Sequence, residues 1–166
     1  DVKKAEQKLL AEPDDLVARV RLCLCYWEKE LAKKSNYLGK SQQELDDQRK
    51  YEQHRLEMIR RHPEFPISRT IFCSFESYHG SMAGYEAEWL WQRLAHVNDA
   101  STAVLFNAAG QHYFHYPQRA IRYLKRALEI DSKMADIHIY LHWCYESLAK
   151  KQVDIVDRLR LLRLSR

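Results

Sequence analysis

Residues 120–133 read AIRYLKRALEIDSK, and the spacing inside this stretch occurs a second time upstream. Ala120, Leu124 and Ala127 stand at offsets of four and seven; Ala87, Trp91 and Leu94 stand at the same offsets 33 residues earlier. A small residue one turn before a large one lets a neighbouring helix approach closely and then locks it with a bulky side chain. A repeat of about 33 residues holds two helices and their turns, and a lone pair cannot bury its apolar face, so pairs must stack. Strands have little support. No stretch alternates with period two between turn residues, and Gly 4 and Pro 4 in 166 residues fall below the roughly 12% of an average chain.

The chain punctuates as a series of helices. Residues 2–11 carry Val2, Ala5, Leu9 and Leu10 on one side. Pro13, Asp14 and Asp15 suit the start of a stronger helix in which Leu16, Val20, Cys23, Leu24, Trp27 and Leu31 recur at helical spacing up to about Lys34. Ser41 and Glu44 have the spacing of a capping box and open a helix that runs to the sequence RRHP. A helix capped by Ser68 is expected to reach about His79, and GSMAG turns it into a return helix over 84–97. Residues 101–115 and 118–130 form the next antiparallel pair, divided at Tyr116 and Pro117, and 135–149 and 152–165 form the last.

Set on a 34-residue frame, the repeats are expected to start at Ser68, Ser101 and Ala135. Leu141 and Tyr145 occupy the apolar seventh and aromatic eleventh positions of a first helix, Tyr78 matches the eleventh, and ALEIDSK is similar to the usual ALELDPN ending. On these residues the chain resembles the tetratricopeptide-repeat family, in divergent form: position 8 holds Phe75, Ala108 and His142, Gln111 replaces an aromatic, and Asp154 and Arg158 depart from the pattern of a second helix. The resemblance implies an all-α fold, a right-handed superhelix of antiparallel helix pairs with about four helical hairpins. It implies one domain over 1–166, with a long divergent pair at 14–63 and repeats at 68–100, 101–134 and 135–166. Val153, Val156, Leu159 and Leu162 on one face of the last helix, with arginines elsewhere, suit a solvent-capping end.

The resemblance also implies a concave groove lined by the first helices. Its positions correspond to Arg69, Phe72, Glu76 and His79; to Thr102, Leu105, Ala109, His112 and Tyr113; and to Asp136, Ile139, Trp143, Glu146 and Ser147. Aromatics with both charge signs suit a peptide or an amphipathic helix of a protein partner, and self-association is a further use of such a surface. The family's carboxylate clamp requires Lys and Asn where this chain has Phe72 and Glu76, so that mode is not expected.

Other chemistries find less support. Lys+Arg 27 against Asp+Glu 23 gives a net charge of +4 with charges interspersed, which speaks against a nucleic-acid footprint despite Arg158, Arg160, Arg163 and Arg166 near the end. Helical repeats that bind RNA nevertheless remain the alternative. Eight histidines include the pair His138 and His142 at i, i+4, but Ile139 stands where a zinc protease needs glutamate, so a metal site built on histidines is a minor reading. No phosphate loop, nucleophile elbow or Cys-x-x-Cys pair is present, so a noncatalytic protein without cofactor is expected. Cys23 and Cys25 point about 200° apart on a helix and cannot easily bridge, which favours buried thiols and a cytoplasmic setting. The chain starts at Asp1 rather than Met, so a trimmed N-terminus is expected and export stays open. No apolar run reaches the roughly 18 residues of a membrane span, and the chain is expected to be soluble.

Overall fold

Asp15 opens the second helix by accepting a hydrogen bond from the Ala18 backbone N–H at 2.7 Å, and Ser41 opens the third. Ser41 Oγ accepts from the Glu44 N–H at 3.3 Å while the Glu44 carboxylate accepts from the Ser41 N–H at 2.7 Å. These side chains satisfy amides that have no partner within a first helical turn, and so fix where each helix begins. The computed structural model describes residues 2–32, 41–69 and 82–164, and the side chains of these apart from 30–32, 67, 69 and 152–164. Among them are seven α-helices and no strand: α1 Val2–Ala11, α2 Leu16–Ala32, α3 Gln42–Arg61, α4 Met82–His96, α5 Thr102–His112, α6 Pro117–Ile130 and α7 Ala135–Leu164, with a 3-10 turn at Pro66–Arg69. The all-α class follows. The helix expected from Ser68 to His79 lies, beyond its first two residues, outside the described residues.

The chain divides into two compact units, Asp1–Trp91 and Gln92–Arg166, with the boundary inside α4. In the first, α1 packs on α2 and α2 on α3. Leu9, Ala18, Leu22, Cys23, Tyr26, Tyr51 and Met58 form its core, with Val2, Ala5, Leu16, Val20 and Trp27 packed around them. Polar ties register the helices at the rim of this core. Tyr26 Oη donates to Glu6 at 2.9 Å, Lys50 reaches the same carboxylate at 3.2 Å, and Arg61 pairs with Asp14 at 2.6 Å. Exposed pairs such as the last contribute little stability and mainly fix register.

In the second unit α6 packs on both α5 and α7, and α5 also touches α7. Ala120, Leu124 and Ala127 are fully buried on α6, together with Ile121 and Tyr123. Ala87 and Trp91 of α4, which belong to the first unit, are likewise fully buried. The spacing of a small residue four before a large one therefore marks inward positions in both units. Arg126 donates to the backbone oxygen of Val97 at 2.9 Å and also to that of Ala95, which satisfies carbonyls released where α4 ends.

Residues 135–164 depart from expectation. They form one continuous helix rather than a hairpin divided near residue 150. Leu148, Ala149, Lys150, Lys151 and Gln152 are all strong helix formers, and no Gly or Pro interrupts them, so nothing in the chain stops the ladder of hydrogen bonds there. The final repeat is not a helical pair.

Candidate functional site

The second unit presents a cluster of aromatic rings where the end of α5 meets α7. Ser101 caps α5 by accepting from the Val104 N–H at 3.3 Å, and all residues from Val104 to His112 are buried. A helix enclosed on every side can reach solvent only at its ends, and here the chain emerges at Tyr113, Phe114 and His115. On α7, Asp136, Ile139, Trp143, Glu146 and Lys150 follow each other at steps of three and four and share one exposed face. Ile137 and Cys144 point the other way, into the core.

Tyr113, Phe114, His115, Trp143, Glu146, Ser147, Lys150 and Lys151 line a cleft of about 440 Å³ at this junction. Its aromatic wall is braced from behind. The Trp143 ring lies 6.0 Å from Tyr113 and 4.9 Å from Tyr140, and Tyr140 meets Phe106 edge to face at 5.0 Å. Such tilted pairings are the preferred geometry of interacting rings and hold the wall in place. Trp143 nevertheless keeps 41% of its surface exposed and Phe114 58%. Large apolar area is thus left open to solvent on a rigid support.

The rim of the cleft is charged. Lys151 Nζ donates to the backbone oxygen of His115 at 3.1 Å and lies 3.4 Å from that of Phe114, tying α7 to the turn that follows α5. Glu146 pairs with Lys150 at 2.8 Å, and this hydrogen bond, reinforced by the lysine charge, holds its carboxyl below the usual range. Both signs are therefore present beside the aromatic wall.

A second cleft, of about 330 Å³, adjoins the first through the shared residues His115 and Lys151 and adds Tyr116, Pro117, Gln118, Arg119, Arg122 and Leu148. The Arg119 guanidinium lies 4.8 Å above the Tyr116 ring. No carboxylate among the described residues lines this second cleft.

Comparison with family models, curated proteins and solved structures returns no match.

The expected groove residues fall into three groups. Tyr113, Trp143 and Glu146 come together in the aromatic cleft, and Asp136 and Ile139 continue the same face of α7. Leu105 and His112 are fully buried within α5. Phe72, Glu76 and His79 lie outside the described residues, as does the side chain of Arg69, whose backbone ends the 3-10 turn. Phe114, His115, Lys150 and Lys151 belong to the cleft without having been expected there. The sequence YFHYP, dense in aromatics at a helix end, is the signal that marks two of them, Phe114 and His115.

Buried titratable groups lie apart from the cleft surface. Burial pushes the His112 imidazole down to about 3, helped by the Arg119 charge, and pushes the Cys144 thiol up to about 11. A protonated, buried thiol is a poor nucleophile. Among the described residues no three His, Cys, Asp or Glu side chains gather as ligands for a metal ion, and no helix is long and apolar enough to cross a membrane.

Proposed function

We propose that the protein is a noncatalytic helical-repeat module, related in architecture to tetratricopeptide solenoids, that binds a peptide or helix of another protein in the aromatic cleft between the end of α5 and α7. One observation carries this reading: Trp143 and Phe114 stay broadly exposed although rigid rings support the wall around them. Exposed large aromatics on an ordered wall are the usual anchors of protein recognition, because they offer much area and lose little conformational freedom on binding. The sequential packing of α5, α6 and α7 and the buried Ala87/Trp91 and Ala120/Leu124 pairs support the repeat architecture. A cleft of about 440 Å³ suits one or two side chains of a ligand rather than a whole domain.

The test uses twelve-residue peptides selected from a random display library on the full chain. Their affinity is measured for the parent and for Trp143→Ala, Tyr113→Ala and Trp89→Ala, each checked for helical content. Loss of the Trp143 ring is expected to weaken binding at least about tenfold. Trp89, exposed on α4 in the first unit, serves as the control. Equal affinity of all three variants and the parent contradicts the reading.

A further inference from the structure

We infer that the groove between α1 and α2 docks an acidic amphipathic helix of a partner protein, with its carboxylates on Lys4 and Arg21. The site belongs to the first unit and is independent of the aromatic cleft.

α1 contributes Lys4, Ala5 and Lys8 to this groove, whose volume is about 430 Å³. α2 contributes Val17, Arg21, Leu24 and Glu28 at steps of four, three and four, with Ala18 and Cys25 beside them. Such spacing lays a single ridge along α2 over three turns, about 16 Å. Ala18 is buried and Ala5, Leu24 and Cys25 are half-buried, while Val17 stays 59% exposed. A channel of that length with small side chains in its floor fits the ridge of a third helix. A small ligand fits it less well, because small-molecule sites enclose most of their ligand and this floor is open to solvent at Val17.

Charge selects the kind of helix. Lys8 is neutralised by Asp15, which stands just before α2. Lys4 and Arg21 are both exposed, one on each wall, and neither forms a hydrogen bond or ion pair among the described residues. Among the described residues the lining holds one carboxylate, Glu28. It stands two turns beyond Arg21, about 10 Å along the helix, which exceeds the roughly 8 Å screening length of physiological salt. The two cations are therefore uncompensated, and a ligand carboxylate between them gains from both. A basic helix would meet like charge on both walls. An anionic membrane offers the right charge, but a flat surface cannot enter a channel whose alanine floor lies between long side chains.

The test uses a library of helix-forming fourteen-residue peptides displayed against the full chain carrying Trp143→Ala, so that failure of the aromatic cleft leaves the result untouched. Winners are expected to carry Asp or Glu beside an apolar stripe. Their affinity should fall about tenfold in Lys4→Gln/Arg21→Gln, since exposed pairs are modest singly and two are removed. Lys4→Glu/Arg21→Glu should turn the selection toward Lys and Arg. A bound winner should also slow alkylation by iodoacetamide of Cys25, the half-buried thiol of the groove, read by peptide mass. Winners that ignore both double substitutions, or that leave Cys25 as reactive as in the free chain, overturn the inference, and so does a selection without winners. Phosphatidylserine vesicles that bind the chain through Lys4 and Arg21 and that no winner displaces overturn the choice of partner.

Discussion

Leu124→Ala is expected to lower the stability of the second unit by about 3 kcal/mol, within the range for emptying a buried leucine site. Leu124 is fully buried on α6, the helix that packs on both α5 and α7. The cavity left behind would be walled by helices on two sides and could close only if one of them moved, which places the loss toward the middle of that range. Ala120 and Ala127, one turn either way, are also fully buried and offer no side-chain volume to fill it. Urea unfolding followed by circular dichroism measures the effect. Ile130→Ala, at the exposed end of the same helix, is the control and should change stability by less than about 0.5 kcal/mol. A loss below about 1 kcal/mol for Leu124→Ala would mean that the inner face of α6 is not the seam of the unit.

Acid is expected to destabilise the same unit through His112. Its ring packs against Tyr116 and Tyr123, each with centroids 5.9 Å away, its Nε2 has no hydrogen-bond partner among the described residues, and burial with the nearby Arg119 charge pushes its pKa down to about 3. In the unfolded chain the imidazole titrates near about 6.5. Below that pH the unfolded chain binds a proton that the folded one refuses, so stability falls as pH falls from about 6.5 toward 3 and is unaffected by this group above neutrality. At pH 5 the loss is about 2 kcal/mol relative to pH 7. His112→Phe keeps a flat ring among the tyrosines and should flatten that part of the stability profile. An unchanged acid limb in the variant would contradict the assignment. His54 in the first unit, stacked at 6.0 Å on Tyr26 and pushed by burial to about 4, adds a slope of the same sign in that unit.

Much of the helical organisation was legible in the residues. The capping box at Ser41 and Glu44 and the break at Tyr116 and Pro117 are local chemistry, and local chemistry fixes helix starts. The Ala/large spacing likewise identified buried positions on α4 and α6. Helix stops were less legible. The break expected near residue 150 rested on the length of a repeat frame, while the residues themselves, LAKKQ, favour continuation.

The candidate site was only partly legible. A positional rule for groove residues assumes that a first helix has one outward face, and α5 is buried at nine consecutive positions from Val104 to His112. Leu105 and His112 are therefore enclosed, whereas Tyr113 escapes because α5 ends there. On α7, which has a solvent face, Asp136, Ile139, Trp143 and Glu146 share that face as their spacing requires. Phe114, His115 and Lys151 join the cleft through the turn after α5 and a contact between elements 36 and 37 residues apart, a distance that periodicity does not register.

Indole resonances offer the most direct test of the aromatic cleft, since the chain has four tryptophans, Trp27, Trp89, Trp91 and Trp143. The full chain, labelled with nitrogen-15 at the indoles, would be titrated with a library-selected peptide, and Trp143→Phe would assign its signal. The account predicts a saturable shift of the Trp143 resonance while that of the fully buried Trp91 stays in place. A saturable shift at Trp89 with Trp143 unmoved would put the binding surface on α4 and contradict it.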